Sequence, residues 1–402
     1  MKVRAVFGFG TLLPYFLLQW NVAVKGNAKW SFHDFAHERS FKAAAEMREV
    51  VKESHRERLM HQFGGNVTLA EIEAERTVQL VHSTKLDLLR AAGRLHDNSA
   101  PLDNGLWEGD MILTAAQIEF IRQARLSKSE FLIMEMPFEN ATRSKRNTAY
   151  FDWLPFEKWT MPIHYTVDEA FDMHLQSAIH DSIQQIADAV FCIKFQNTAT
   201  GDGLNQLLHF RKHNSEHMAC DASANIGSGN PIKSDVWLNL GNCFPDSKRS
   251  LIMHETLHAL GLFHEQARYD RDYYIRVDFN NVSPRKAINF DKQSPWESSP
   301  LGVPYDYQSI MQYAQYTFSK SRSSTMVALY DNGTDDMVTT RLLGKSKSLS
   351  QSDVNKLKRL YCYRSNTCFD ETPLCGYLAN EIDCKDDAMK RDCRLSCGLC
   401  TG

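Results

Sequence analysis

The feature that most constrains this chain is a set of histidines with fixed spacing between Leu251 and Asp272. His254 and His258 lie four residues apart, so on a helix their side chains share one face and can bind one ion. Glu255 lies beside them and has the carboxylate expected of a base that acts on a zinc-bound water. The pattern therefore predicts a helix that contributes two imidazoles to a catalytic zinc site.

Gly261 predicts that this helix ends sharply, because a residue without a Cβ can adopt positive φ. Three residues later, His264 can return toward the metal as a third ligand. Three protein ligands leave one zinc position for water, which is typical of catalytic rather than structural sites. A bare H-E-x-x-H can also be a helix with core-facing histidines, but the glycine and third histidine at fixed offsets argue against that alternative.

H-E-x-x-H-x-x-G-x-x-H is the metzincin motif, and its continuation through Glu265 and Arg268 to Asp272 resembles the astacin family. The resemblance implies an α+β, two-lobed catalytic domain in which a mixed sheet lies over the active-site helix. It also implies a zinc-dependent endopeptidase with one Zn²⁺ per catalytic domain. The residues that would hold the metal and act as general base are His254, His258, His264 and Glu255.

A second segment, Tyr305 to Tyr313, matches the Met-turn of the family, with Gln312 where histidine is usual. The resemblance implies that Met311 lies under the site, although an ordinary core methionine is an equally suitable interpretation. It implies that Tyr313 donates a hydrogen bond to the developing oxyanion. It also implies that Glu265 meets the new N-terminus of the processed enzyme, with an internal salt bridge as the alternative.

The N-terminal part has the layout of a secreted precursor. Lys2 and Arg4 precede an apolar run from Ala5 to Leu18, which predicts a signal peptide over residues 1–26 rather than an uncleaved anchor. Residues 27–146 contain no cysteine, are rich in charged helical stretches broken at Gly64-Gly65, and end in a basic cluster at Arg146. We interpret them as a mainly helical propeptide cut near Arg146 by an activating protease, the alternatives being a coiled-coil arm and a solvated loop.

Within this segment, Trp107 to Met111 resembles the aromatic-x-Gly-Asp motif of astacin propeptides. In that motif the aspartate binds the catalytic zinc and keeps the zymogen inactive, which makes Asp110 the predicted blocking residue. A carboxylate is a good oxygen ligand for zinc, and Gly109 allows a close approach of the backbone. The alternative is a Gly-Asp surface turn.

Residues 147–365 are predicted to form the catalytic domain. Apolar residues at helical spacing from Leu175 to Val190 predict a helix, followed by a strand through Cys192 to Phe195. Pro245 to Arg249 lengthens the approach to the zinc helix, and we expect a longer loop there. An extended peptide substrate is expected to add along a sheet edge near Cys220 to Gly227.

The ten cysteines divide into four in the protease part and six after Thr367, which suits an oxidising compartment. Their spacing does not determine the pairing. Residues 366–402 resemble a ShKT module, and this module order is most like nematode astacins. The pairs that the resemblance implies are Cys192–Cys362, Cys220–Cys243, Cys368–Cys400, Cys375–Cys393 and Cys384–Cys397.

The sequence thus predicts a secreted, extracellular zinc metalloendopeptidase, made as a zymogen, whose substrates are proteins or peptides, with extracellular matrix or cuticle as candidates. The alternative is a catalytically inactive secreted binding protein on a protease scaffold. A net charge of −3 gives no basic footprint for nucleic acid, and no later stretch is apolar enough for a membrane span. Glycosylation sequons fit the secretory route and lie at Asn66, Asn140, Asn281 and Asn332.

Two uses of surface residues stay open at this point. Lys345 and Lys347 lie in a segment that resembles one near the pocket for the residue after the scissile bond, and they favour an acidic residue there. A solvated loop is the alternative. The ShKT module has two candidate roles of similar weight, which are docking to matrix or substrate and simple stabilisation.

Overall fold

The computed structural model describes residues 32–95, 100–101, 103–126, 158–198, 204, 206–213, 221–228, 232–240, 243, 245–294, 297–362, 375, 384–394 and 396–399. The predicted signal peptide, the basic cluster at Arg146, and Cys220, Cys368 and Cys400 lie outside these residues. Contacts divide the chain into two units, Met1–Phe41 and Lys42–Gly402.

Two long helices dominate the N-terminal part, α1 (Phe32–Gln62) and α2 (Val67–Ala91). Gly64 and Gly65 separate them with φ values of 58° and 87°, in the left-handed region that glycine adopts without a steric cost. The helical character and the position of the break agree with the sequence-based expectation.

The main sheet is mixed, as expected. Its strands are β1 (Met111–Ile112), β2 (Ile163–Val167), β3 (Phe195–Asn197), β4 (Gln206–Lys212), β5 (Asp221–Asn225) and β6 (Ile232–Asn239). They lie in the order β1-β5-β6-β4-β2-β3, and only the β5–β6 pair is antiparallel. The strand predicted to start at Cys192 begins only at Phe195. Strand β1 pairs with the edge of β5, in the register Met111 to Ala224.

Helices surround this sheet and build the main core. The remaining helices are α3 (Ala115–Leu126), α4 (Met173–Ala189), α5 (Pro245–Ala259), α6 (Met337–Thr340), α7 (Gln351–Tyr361) and α8 (Asp387–Asp392). Ile179 and Ile183 of α4 pack with Ile252 and Leu257 of α5 and with Val236 of β6 in one apolar cluster. The apolar spacing of the sequence therefore marks the buried face of α4, as predicted.

The longer loop expected at Pro245 to Arg249 was a wrong prediction, because these residues are the first turn of α5. Proline is compatible with a helix start, since the N–H that it lacks has no intrahelical partner there and its φ is already helical. The extra residues therefore lengthen the helix and do not form a loop.

A smaller antiparallel sheet forms the second lobe, with β7 (Ile275–Val277), β8 (Met326–Leu329) and β9 (Asp335–Asp336). Its own core contains Phe290 and Tyr313. The chain is thus an α+β protein with two lobes, as predicted. Within the described ranges, none of the helices combines the length and the apolar character needed to cross a membrane.

Disulfides join distant parts of the chain. Cys192 bonds Cys362, 170 residues away, and ties the end of α7 to the segment after α4. In the C-terminal module, the bonds are Cys375–Cys393 and Cys384–Cys397. These three pairs are those implied by the family resemblance. Cys243 is also disulfide-bonded, and its predicted partner lies outside the described residues.

Candidate active site

The C-terminal end of α5 carries the two helical histidines, His254 and His258. The helix stops in a Schellman motif, in which Leu262 N–H donates to Leu257 O at 2.9 Å and Gly261 N–H donates to His258 O at 2.8 Å. Gly261 has φ of 97°, so a residue with a Cβ would be strained there. The glycine thus reverses the chain, as the sequence predicts.

Four residues converge after this reversal: Asp110, His254, His258 and His264. Their candidate ligand atoms all lie within 4.8 Å of one another. His264 Nε2 is 3.3 Å from His258 Nε2 and 3.2 Å from Asp110 Oδ2. A tetrahedral zinc with bonds of about 2.0–2.1 Å has ligand atoms separated by about 3.3 Å. The donor spacing therefore fits a single zinc ion.

The outer nitrogens of the two helical histidines contact backbone carbonyls. His254 Nδ1 lies 2.8 Å from Ile310 O, and His258 Nδ1 lies 2.7 Å from Leu262 O. Each contact favours the tautomer with the proton on Nδ1, which leaves Nε2 with a lone pair toward the cluster. The catalytic domain thus orients these two imidazoles with its own backbone.

The third histidine is oriented differently. His264 Nδ1 lies 3.3 Å from a carboxylate oxygen of Glu108, a buried residue in the segment predicted as propeptide. The other oxygen of Glu108 lies 3.3 Å from Gln293 Nε2. A residue outside the catalytic domain therefore completes the surroundings of the third ligand.

The charges of this cluster also favour a cation. Burial raises the pKa of Asp110, but the three imidazoles outweigh it and hold this pKa well below its usual range. Burial lowers the pKa of His264, yet the carboxylates of Asp110 and Glu108 raise it to about 9. The carboxylate of Asp110, at the point where the imidazoles meet, and that of Glu108, behind His264, therefore favour a cation in this cluster, as a divalent metal ion would be.

Gly109 and Tyr313 bring the Asp110 segment into close contact with the site. Gly109 has φ of 103°, and a Cβ there would lie 3.0 Å from Tyr313 Oη and 3.1 Å from Phe318 Cζ. The hydroxyl of Tyr313 donates a hydrogen bond to the backbone carbonyl of Glu108. The positive φ of this position favours glycine, and a Cβ there would also require the ends of the Tyr313 and Phe318 side chains to shift.

The remaining predicted catalytic groups are buried at the same place. Glu255 is 1% exposed. Burial raises the pKa of Tyr313 well above its usual value, and the carboxylates of Asp110, Glu108 and Glu255 raise it further. Tyr313 is thus a protonated hydrogen-bond donor at neutral pH.

Glu265 is a buried carboxylate with three donors. It accepts hydrogen bonds from Arg268 Nη1 and from Asp306 N–H, both at 3.0 Å, and it forms an ion pair with Lys356. Burial alone would raise the pKa of Glu265, but Lys356 and Arg268 hold it below its usual range. Its backbone N–H donates to Met311 O at 3.0 Å. The structure therefore places Glu265 in a salt-bridge network directly after the third histidine.

Met311 is fully buried and packs in the main core with Met253 and Leu257 of α5. The preceding residue, Ile310, supplies the carbonyl that His254 contacts. The turn therefore contributes to the site through its backbone, while the Met311 side chain fills the core beneath it.

Comparison with known proteins agrees with this geometry. The family model described as "Astacin", a peptidase family, matches residues 154–362. The chain belongs to the astacin family. A "ShK domain-like" model matches residues 367–400. With the family known and four donors at the right spacing, zinc is the cofactor of this site.

Relatives and a solved structure extend the comparison. Zinc metalloproteinase nas-10 of Caenorhabditis elegans is 30% identical over 346 residues, which cover 84% of this chain and 60% of the relative. Meprin A subunit alpha of Rattus norvegicus is 27% identical, over 58% of this chain and 29% of its own length. The chain thus spans less than two thirds of these relatives. High choriolytic enzyme 1, a hatching enzyme zinc-protease from Oryzias latipes, aligns with a TM-score of 0.42 at 24% identity, over 52% of this chain and 94% of that one.

Sequence reasoning missed the charged network behind the third ligand of this astacin-family site. Arg125 of α3 forms a bidentate pair with Glu297, with Nε at 2.8 Å and Nη2 at 2.8 Å from its two oxygens. The same guanidinium lies 3.7 Å from Glu108 and 5.2 Å from the ring centroid of Trp107. The sequence could have indicated Glu108, because it directly precedes Gly109 and Asp110, and a residue so close to the predicted zinc-blocking carboxylate must lie near the metal site.

Proposed function

We propose that this chain is a secreted zinc endopeptidase, made as a zymogen, that hydrolyses internal peptide bonds of extracellular proteins, with matrix or cuticle proteins as candidate substrates. One observation carries the proposal. Three imidazoles converge at zinc-ligand spacing, and the buried carboxylate of Glu255 lies on α5, the helix that carries His254 and His258. Family membership supports the same activity.

When bound, zinc lowers the pKa of a water to about 7 and polarises the scissile carbonyl. Glu255 takes the proton of the attacking water and passes it to the leaving nitrogen. In the processed enzyme, burial and the carboxylate of Glu255 would still raise the pKa of Tyr313, so its hydroxyl stays protonated and can donate a hydrogen bond to the developing oxyanion.

Latency is proposed to come from the segment around Asp110. Its carboxylate lies 3.2–3.6 Å from the Nε2 atoms of all three histidines, where the fourth ligand of a tetrahedral zinc belongs. Strand β1 occupies the edge of β5, where an extended substrate would otherwise add a strand. The same short segment therefore covers the metal position and the substrate strand, and cleavage near Arg146 would allow it to leave.

The proposed activation also involves Glu265. Two cationic side chains already contact its carboxylate, and a cavity of about 70 Å³ adjoins it. The new N-terminus formed by processing is proposed to enter this cavity. The new ammonium group would then be the third cation near the Glu265 carboxylate, after Arg268 and Lys356.

A preference for acidic residues after the scissile bond is proposed for the loop that contains Lys345 and Lys347. Both lysines are exposed, and the backbone of Gly344 packs so closely on Ala314 that a Cβ would overlap it. Ala314 directly follows Tyr313, so the loop lies beside the site. We expect faster cleavage of a peptide with Asp at this subsite than of matched peptides with Ala or Lys. Equal rates for all three would remove the assignment.

The deciding experiment replaces Glu255 with Gln in processed protein and measures cleavage of a casein-type substrate together with bound zinc. General acid–base catalysis contributes about 10²- to 10⁴-fold, so we expect a loss of that size with zinc retained. Glu169→Gln is the matched control, because Glu169 is exposed. Unchanged turnover in Glu255→Gln would reject the mechanism. Absence of turnover in the unmutated, zinc-loaded processed protein would favour the alternative, an inactive secreted binding protein.

A further inference from the structure

The C-terminal module contacts the catalytic domain at a buried place. Ser396 is only 3% exposed, and its carbonyl lies directly against Gly302 of the catalytic domain. A Cβ on Gly302 would overlap this carbonyl oxygen. Gly302 and the preceding Leu301 have φ values of 65° and 56°, so the turn itself is held in the left-handed region.

Arg359, in the last turn of α7, lies between this turn and the module. Its guanidinium donates a hydrogen bond to Leu301 O. A Cβ added to Gly398 of the module would lie 3.1 Å from Arg359 Nη2. The backbone of the module therefore covers a cation that is already fixed by the catalytic domain.

Both partners in this contact are stiffened by cross-links. The Cys192–Cys362 bond fixes the end of α7, three residues after Arg359. The bonds Cys375–Cys393 and Cys384–Cys397 hold the part of the module around Ser396. Docking two pre-organised surfaces costs less conformational entropy than ordering flexible ones.

The contact lies against the wall of the cavity behind the metal site. Leu301 lines the cavity of about 70 Å³, and so do His264, Glu265 and Lys356. Arg359 follows Lys356 by one helical turn, and Lys356 forms the ion pair with Glu265. A short path of fixed groups thus connects the module to the residue after the third histidine.

We propose that the ShK-like module is a docked part of the catalytic unit, in which Ser396 to Gly398 brace the Leu301-Gly302 turn and α7. This contact fixes the outer wall of the cavity that contains Glu265. The inference goes beyond the proposed function, because it assigns the module a partner surface within its own chain. Free attachment to matrix is the competing use and is an outcome of the test.

The test compares Gly302→Ala with Gly333→Ala in the full, uncut chain by hydrogen–deuterium exchange. Gly333 has φ of 77° and no heavy atom within 4 Å of an added Cβ. Both variants strain a left-handed glycine position, but only Gly302→Ala obstructs docking. We expect the amide exchange rate in residues 299–303 and 384–399 to rise by about tenfold or more in Gly302→Ala, because the free energy of local opening falls when docking is obstructed. In Gly333→Ala the exchange rate in these segments should stay unchanged.

Arg359→Ala provides a second route if Gly302→Ala gives no folded protein. It removes the guanidinium without straining the turn, and Arg341→Ala, at an exposed position, is its control. We expect a smaller rise, of about threefold, in the same two segments. If exchange in both segments matches the unmutated chain, the module is not docked and is available for a matrix partner. The proposal would also be overturned if a control variant, Gly333→Ala or Arg341→Ala, raised the exchange rate in both segments as much as its test variant does. The measurement uses no proteolysis, so it is independent of the proposed activity.

Discussion

The three imidazoles of the site differ in what holds them. His254 and His258 contact carbonyls of their own domain, whereas His264 contacts the carboxylate of Glu108 from the preceding segment. The first two contacts are permanent parts of the fold. Under the proposed activation the third would be lost when the segment leaves, which would make His264 the residue that couples the segment to the metal site.

The two kinds of contact also differ energetically. A backbone carbonyl is neutral, and its burial in a helix end or a turn needs no counter-charge. Glu108 is a buried carboxylate, which is tolerated only when cations and donors surround it. Arg125 and Gln293 supply that environment, and Arg125 in turn needs Glu297. Holding His264 from outside the domain therefore requires a whole network.

The strongest test of this difference removes Arg125. Arg125→Met would leave Glu297 and Glu108 as buried carboxylates without their cation, with an expected loss of about 3–5 kcal/mol in the unfolding free energy of the uncut chain. Denaturant unfolding measures this loss. The control is Arg94→Met, which breaks another pair between the same two parts, with Asp291.

Arg94 is 31% exposed and Arg125 is 7% exposed. Asp291 is 12% exposed, so solvent screens the first pair only in part, and its loss should cost less than that of the Arg125 pair, about 1 kcal/mol. Similar costs for the two variants would show that the network behind the third histidine is no stronger than this part-buried pair.

The next effect concerns the blocking carboxylate. Asp110→Ala removes the contacts of a charged carboxylate with three imidazoles. A hydrogen bond to a charged group stabilises the folded or bound state by about 1.5–3 kcal/mol. We expect the uncut chain to gain peptidase activity by about 10- to 100-fold, measured with a quenched peptide. Glu119→Ala, on the exposed side of α3, should leave the uncut chain inactive. No gain in Asp110→Ala, with normal activity after processing, would remove Asp110 from the blocking role.

The smallest effect distinguishes charge from shape at Glu108. Glu108→Gln keeps the size of the side chain but replaces a charged acceptor with a neutral one, a difference of about 1 kcal/mol. Zinc transfer to a chelator should then be about fivefold faster from the uncut variant than from the uncut unmutated chain. After processing the two proteins should release zinc equally, because the segment is gone. Equal release before processing would contradict the role assigned to Glu108.

Local rules explain what the sequence could predict. His254, His258 and Gly261 follow from helix geometry and glycine conformation, which depend only on neighbouring residues, and the Schellman motif has the predicted form. The position of Asp110 came from a motif match and not from spacing.

Non-local partners explain what was missed. Glu108 meets His264 across 156 residues, and Lys356 meets Glu265 across 91, separations at which no periodicity carries information. Pro245 to Arg249 was misassigned for another reason. Extra residues were treated as a loop, although proline at their start is compatible with a helix.

The two-residue strand β1 has a consequence for the processed protein. Strand β5 has β6 on one side and β1 on the other, so departure of the β1 segment, as proposed, would expose unpaired backbone N–H and C=O groups along β5. Such an unpaired sheet edge can form backbone hydrogen bonds with any extended chain, including a second copy of the protein. Preparations freed of this segment should therefore store best with a non-cleavable peptide analogue that pairs with β5 and prevents self-association.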